Sequence, residues 1–399
     1  MSENDNTVWL DGRNWQPGGT GVHSYVHGLR DTLTECGIPS RIVLQEAYGG
    51  RHARFARAGR FVSAVSRRGQ TLEDAQGNFL YATDLFRTAH SRFGLRRRLT
   101  ELRLPPSLQR PRLMHWTAPL PITLANVPNV VTIHDLIPLT HPELTGIAPD
   151  RHERLLRVLL KTVDAVATVS ETVRTQLIEQ FSIEPQKLHN LYQPVSFDAA
   201  LLEAVMQAEP LVPDGGFICI GRVESRKNID RLLEAHAMSS SVRTLTLIGP
   251  DGDDRPDCRS RGATSHVVRI PWCDKIRLLR TLKGARALLF PSLAEGFGLP
   301  IIEAMSLGTP VLTSRGGATG EVAGDAAYLV DPLSVRDIAD GIAALDSELE
   351  DGYLQQLSAR GRARAARFSQ EHFTRRLSSF YATVDPGFAS MPDTRLRIS

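Results

Sequence analysis

The chain has 399 residues and a net charge of only +3, so it is longer than one hydrophobic core usually supports and too evenly charged to point to nucleic acid. No apolar run is long enough to span a membrane, and the polar start Met1-Ser2-Glu3-Asn4-Asp5 has no signal-peptide core. The four cysteines, Cys36, Cys219, Cys258 and Cys273, lack CxxC spacing, which fits reduced thiols in the cytoplasm better than disulfides or zinc.

Apolar, β-branched segments alternate with helix-period segments, which predicts an α/β protein with parallel sheets. In the first half, strands are expected at 8–10, 41–44, 113–116, 130–133, 165–169 and 188–192, with helices at 22–36, 151–163 and 171–181. A Pro- and Asp-containing stretch, 193–216, reads as a linker holding a short helix. A second series then begins, with strands at 217–220, 245–248, 267–270, 287–290, 311–313 and 327–330. Helices at 229–236, 275–283, 300–307 and 335–345 fall between them, and a last helix near 370–384 is placed to cross back to the first domain. The division expected is 1–195, a linker 196–216, 217–369, and a crossing helix with tail, 370–399.

Ligands of open α/β sheets bind at the carboxyl ends of the strands. At one such end stands Glu295-Gly296-Phe297-Gly298-Leu299-Pro300-Ile301-Ile302-Glu303. Its glycines allow a tight turn, and Pro300 suits the first position of a helix. The amides of Phe297, Gly298 and Leu299 are then free to face a phosphate at the positive end of that helix. Glu295 and Glu303 cannot bind phosphate, so they are candidates for hydroxyl groups on either side of it, which describes a nucleotide-sugar. After the strand 217–220 come Arg222 and Lys227, cations suited to a diphosphate leaving group that gains charge as its bond to the sugar breaks. His134, directly after the strand 130–133, is placed to bond a sugar hydroxyl or carry an acid/base proton, with Asp135 either fixing its tautomer or capping local backbone. The turn Gly18-Gly19-Thr20-Gly21 does not match the dinucleotide spacing.

Two further features lie outside this set. Asp251-Gly252-Asp253-Asp254 has metal-like composition, but Asp-Gly is common in turns, so a surface loop without metal is expected. Arg51, Arg54, Arg57, Arg60, Arg67 and Arg68 form one basic stretch, and Arg92, Arg96, Arg97, Arg98 and Arg103 another, with Phe55, Phe61, Phe93, Leu95 and Leu99 interleaved. A solvated face and a surface that touches anionic lipid both fit them.

Taken in order, these motifs resemble the family 4 retaining glycosyltransferases of the GT-B fold. The similarity is densest from Phe217 to Pro332, and the runs Gly308-Thr309-Pro310-Val311 and Glu321-Val322-Ala323-Gly324 add to it. The resemblance implies two facing Rossmann-like domains with open parallel sheets and a central cleft. It implies that Arg222 and Lys227 hold the donor diphosphate, that Glu295 bonds the donor sugar near its 3- and 4-hydroxyls, and that Glu303 bonds the ribose. Phe297, Gly298 and Leu299 would offer amides to sugar and phosphate, His134 would contact the sugar near its 6-position, and Gly19 and Gly21 would approach from the opposite domain. Retention of the anomeric configuration without a metal, and without a protein general base, is also implied.

The chain departs from the family at Ala318-Thr319-Gly320, before Glu321, and at the linker Leu191-Tyr192-Gln193-Pro194. The stretch 134–143 looks like bacterial enzymes of surface-polysaccharide assembly, so the expected donor is GDP-mannose, with UDP-sugars and dTDP- or GDP-deoxysugars open, and the expected acceptor a glycan or a lipid-linked glycan. Peripheral contact with the anionic inner face of the cytoplasmic membrane goes with that acceptor. The alternatives are a phosphorylase or sugar-phosphate-dependent synthase on the same fold, and a catalytically silent scaffold.

Overall fold

The computed structural model describes residues 5–15, 21–46, 72–74, 78–257, 266–347 and 351–391. The first half contributes strands β1 (Asp5–Asp11), β2 (Ser40–Glu46), β3 (Glu73–Asp74), β4 (Phe79–Thr83), β5 (Thr100–Leu102), β6 (Pro111–Trp116), β7 (Ile122–Leu124), β8 (Asn129–Ile133), β9 (Ala165–Thr168) and β10 (Leu188–Asn190). Its helices are α1 (Gly21–Glu35), α2 (Leu85–Arg96), α3 (Ile137–Thr140), α4 (Pro149–Thr162) and α5 (Glu171–Phe181). Helix α6 (Ala199–Gln207) lies in the connection, its first turn capped by the Asp198 carboxylate. The second half contributes β11 (Phe217–Ile220), β12 (Leu245–Ile248), β13 (Val267–Ile270), β14 (Ala287–Phe290), β15 (Val311–Ser314) and β16 (Tyr328–Val330). Its helices are α7 (Ile229–Met238), α8 (Lys275–Gly284), α9 (Leu299–Leu307), α10 (Gly317–Ala323), α11 (Val335–Asp346) and α12 (Asp351–Ala365), and α13 (Gln370–Ala382) follows.

The strands form an eight-stranded sheet in the order β10-β9-β8-β6-β1-β2-β4-β3, a six-stranded sheet in the order β13-β12-β11-β14-β15-β16, and a two-stranded pair, β5-β7. All pairs are parallel except β3 with β4. In each sheet the first strand lies inside, and the chain fills one side before the other. The order therefore reverses between β1 and β6, and again between β11 and β14. Those two gaps are where an open α/β sheet leaves a crevice at its carboxyl edge.

One apolar cluster runs through both halves: Leu10, Leu29 and Val130 from the first, Ile220, Phe290 and Ile301 from the second, and Phe373, Leu377 and Phe380 of α13. Separate clusters back the outer face of each sheet. Helix α13 also reaches the first half by polar bonds. Tyr381 Oη lies 2.8 Å from His115 Nδ1 on β6, and the Arg112 guanidinium grips Asp385 just beyond the helix with two bonds. His115 Nε2, Thr132 and Tyr25 continue this buried chain. Burial pushes His115 down to about 3, so the ring is neutral.

Four helices escaped sequence reading, the single-turn α3 among them. Helix α10 holds Gly317 and Gly320, poor helix formers, yet a Cβ on Gly320 would lie 2.3 Å from the Arg315 carbonyl, so only glycine lets that helix pack so closely. Helix α2 hides inside the second arginine stretch, its apolar face of Leu85, Phe86, Ala89 and Phe93 interleaved with charge. Helix α12 likewise carries many charged positions. Helix α9 begins at Leu299, so Pro300 is its second residue rather than its first.

Candidate active site

The loop after β11 and the loop after β14 meet at the second reversal point. Lys227 Nζ donates to Glu295 Oε1 at 2.6 Å, and the Arg226 guanidinium bonds the other carboxylate oxygen. Lys227 and Glu295 side chains are only 9% and 10% exposed. Gly221 makes room for this, because a Cβ there would lie 2.9 Å from Lys227 Cε. Burial alone favours the neutral form of Glu295, but Lys227 and Arg226 outweigh it and hold the carboxyl below its usual range. Arg226 also bonds Glu224 at 2.7 Å, and the carboxylates around it hold its charge firmly in place. Arg222 bonds the Asp251 carbonyl at 2.7 Å and is more open to solvent.

Beyond Glu295 the chain turns at Gly298, whose φ is +110°, into α9. Among the described residues, the amides of Phe297, Gly298 and Leu299 donate to no protein acceptor. Leu299 at this helix start meets Gly21 at the start of α1, where an added Cβ would lie 3.3 Å from Leu299 Cδ1. The starts of α1 and α9 are therefore neighbours, and helix N-termini favour anions. Glu303, further along α9, pairs with Lys275 at the start of α8.

The first half meets this loop through His134. A Cβ on Gly296 would lie 1.8 Å from the His134 carbonyl oxygen and 3.1 Å from Asp135 Cβ, so the close approach of the two loops requires glycine. His134 Nε2 lies 2.8 Å from the Thr117 carbonyl. A carbonyl only accepts, so Nε2 carries the proton and Nδ1 is an acceptor; Nδ1 is buried with no protein partner. Thr117, just past β6, donates its amide and its hydroxyl to Asp11 at the end of β1. This chain spans the first reversal point.

At this loop one expectation is corrected and one open alternative is decided. Burial pushes His134 down to about 4, so it is no near-neutral acid/base group. The tautomer is fixed by Thr117, while Asp135 accepts from the Ile137 amide at 3.1 Å and caps local backbone.

Comparison with known proteins gives this geometry a family. Residues 210–364 match the family described as glycosyl transferases group 1, and residues 19–198 match glycosyltransferase family 4. The chain is 32% identical to the O-antigen chain mannosyltransferase B of Escherichia coli over 266 residues, 63% of this chain and 69% of that protein. It belongs to glycosyltransferase family 4. A second relative, the D-inositol 3-phosphate glycosyltransferase of Rhodococcus opacus (strain B4), is 30% identical over 67% of this chain and 65% of its own length. The fold matches Anabaena HepE, solved in complex with UDP and glucose, with a TM-score of 0.60 over 94% of this chain and 99% of that one at 13% identity. The transferase thus has the GT-B architecture.

Sequence reading missed two residues of the transferase's crevice, Arg226 and Asp11. Arg226 sits one position before Lys227 and was visible as a third cation on the loop, whereas Asp11 ends a strand with no motif around it. Gly19 lies outside the described residues, as do Cys258 and the stretch from Arg51 to Arg68. In the second arginine stretch, Arg92 is buried, which corrects a wholly solvated or lipid-facing reading, while Arg96, Arg97 and Arg98 are exposed beside Leu95. The Asp251–Asp254 loop packs on the Arg222 loop, Asp253 accepting from the Ser225 amide. Glu321 takes the amides of Glu171 and Thr172 and the Thr172 hydroxyl, at 2.8, 2.7 and 2.6 Å, and so ties α10 to the start of α5. No helix among the described residues is long and apolar enough to cross a membrane.

Proposed function

We propose that this family 4 transferase moves mannose from GDP-mannose to a glycan or lipid-linked glycan, with retention, giving an α-glycoside. The observation that carries the reading is the Lys227–Glu295 pair at the reversal point, beside the unpaired amides of Phe297 to Leu299 and opposite the His134 ring. In this reading the amides and Lys227 and Arg222 receive the diphosphate, Glu295 and His134 orient the sugar, and Glu303 exchanges part of its bonding to Lys275 for the ribose. Mannose follows the name of the Escherichia coli relative, as does a growing surface glycan as acceptor. Contact with the inner face of the cytoplasmic membrane through Leu95 and Arg96 to Arg98 accompanies that acceptor.

The C1–O bond to the diphosphate breaks as the acceptor oxygen bonds C1 from the same face, and the acceptor proton passes to the leaving phosphate oxygen. Fixed cations stabilise the charge that develops there and take the part of a metal ion. A protein base is not needed, and a His134 titrating at about 4 is a poor one at neutral pH.

Thermal unfolding with GDP, UDP, dTDP or ADP, each with EDTA, tests the reading. GDP at a hundredfold excess over its dissociation constant should add about 2.7 kcal/mol of stability. A shift with another nucleotide alone replaces the donor. Absence of any shift moves the protein to the phosphorylase or scaffold alternatives.

A further inference from the structure

Outside the residues assigned above, two arginines from separate parts of the first half, Arg13 and Arg151, both contact His90. Arg13 lies two residues past β1, His90 is on α2, and Arg151 is in the first turn of α4. Arg13 Nη1 stands 3.2 Å from His90 Nε2, and Arg151 Nη2 donates to the His90 carbonyl at 3.5 Å. A guanidinium has no acceptor, so Arg13 donates and His90 Nε2 is unprotonated. Burial, and then Arg13 and Arg151, push His90 down to about 4. The cluster therefore holds two full positive charges around a neutral ring.

No carboxylate among the described residues bonds either guanidinium. The carboxylate joined to this loop, Asp11, takes the backbone amide of Arg13 at 3.2 Å and gives its other oxygen to Thr117. Both guanidiniums are exposed to solvent, and an anion placed beside His90 would be attracted by each of them.

We propose that Arg13, His90 and Arg151 bind a phosphoryl group carried by the acceptor, either a sugar phosphate or the diphosphate of a lipid-linked glycan. Guanidinium forks match phosphate oxygens with paired, charge-assisted bonds. The location suits an acceptor. From the Arg13 amide, hydrogen bonds run through Asp11 and Thr117 to the His134 ring, so the anion is held on the first half, beside the sugar site and across from Arg222 and Lys227. This inference rests on the transfer reading, because it names the acceptor's chemistry.

Calorimetric titration with inorganic pyrophosphate separates this site from the donor site. Lys227→Ala should keep one pyrophosphate site, and adding Arg13→Gln and Arg151→Gln should weaken it about tenfold or more. Should Lys227→Ala fail to fold, Lys227→Met with Glu295→Gln removes the donor charges as a neutral pair. Equal affinity with and without the two arginines overturns the proposal, as does loss of all pyrophosphate binding with the donor site disabled. Sedimentation with phosphatidylglycerol vesicles identifies the source. Unchanged sedimentation of Arg13→Gln/Arg151→Gln alongside lost pyrophosphate binding supports a phosphate on the acceptor itself, and parallel loss of both supports one carried in a lipid headgroup. Lost sedimentation with intact pyrophosphate binding overturns the site in favour of a surface patch. Nucleotide binding read on the same proteins keeps the two ideas apart: a wild type that binds pyrophosphate through Arg13 and Arg151 but no nucleoside diphosphate fails only the donor reading.

Discussion

The two reversal points of the sheets occupy equivalent places and are built from opposite materials. Between β11 and β14 the chain concentrates charge: Lys227 and Arg226 close on Glu295, with Arg222 and Glu224 at the rim. Between β1 and β6 it uses a carboxylate bonded by one threonine, and ends the chain of bonds in a neutral imidazole with a buried, unpartnered acceptor. A charge-rich crevice can stabilise a charge that grows during reaction, whereas a neutral acceptor held by its other nitrogen can only orient a hydroxyl. In the proposed reading, electrostatic work on the leaving group belongs to the second half and alignment of the sugar to the first.

The sharpest way to break that division is at the ion triad. Lys227→Ala should lower transfer by at least about a hundredfold, the scale expected for a group aimed at developing charge. It should also cost about 3–5 kcal/mol in stability, because Glu295 is left buried with fewer partners. The neutral pair Lys227→Met/Glu295→Gln separates the two effects. Denaturant titration should show stability largely restored, while a radiolabelled-sugar transfer assay stays low. Recovery of transfer in that double variant would make the triad a structural device and remove the contrast between the halves.

Much of this contrast was legible in the chain, and the reasons are local. Strands β11 and β14 are short apolar runs, with Arg222 and Lys227 on the loop after the first and Glu295 on the loop after the second, while His134 directly follows β8. Position after a strand is written in sequence. Pairing is not. Nothing in the order of residues says that Arg226 closes on Glu295, that Lys275 takes Glu303, or that Thr117 rather than Asp135 sets the His134 tautomer, because each partner comes from another element. The near-neutral titration expected of His134 failed for the same reason, since burial is a property of packing. Glycine carries two meanings here: in α10 it permits close packing of a helix, and at Gly296, read in sequence as a tight turn, it permits the meeting of two loops.

The neutral side of the comparison is sharpened by pH. His134 and His115 both titrate below the usual histidine value, at about 4 and about 3, because burial disfavours the charged ring. A folded pKa below the unfolded one means that the unfolded chain takes up protons first as the solution is acidified. The stabilising contribution is complete above the unfolded value, near pH 6.5, and is lost as pH falls toward the folded value. Each group should remove up to about 1.4 kcal/mol per pH unit within that window. Urea titrations from pH 7 to pH 4.5 should therefore show a shallower decline for His115→Gln than for wild type. Transfer by wild type should show no limb near pH 6.5 from His134. An inflection there that vanishes in His134→Asn would return the ring to acid/base work and blur the division between the halves.

The smallest effect is expected where the halves touch without chemistry, at Glu321. Its carboxylate accepts two amides and a hydroxyl at the start of α5, so it acts as a cap donated by the other half of the molecule. Glu321→Gln keeps one acceptor oxygen and loses the charge that the helix N-terminus favours, which should cost about 1 kcal/mol. Thr172→Val removes one of the three donors to the same carboxylate. Because the two residues share one set of bonds, the double variant should lose less than the sum of the single losses, as interacting neighbours do. Transfer should stay within about threefold of wild type, since Glu321 touches neither the ion triad nor His134. A drop beyond tenfold in kcat with nucleotide binding intact would mean that this clasp sets how the two reversal points face each other. The division of labour between the halves would then depend on their alignment as much as on their charges.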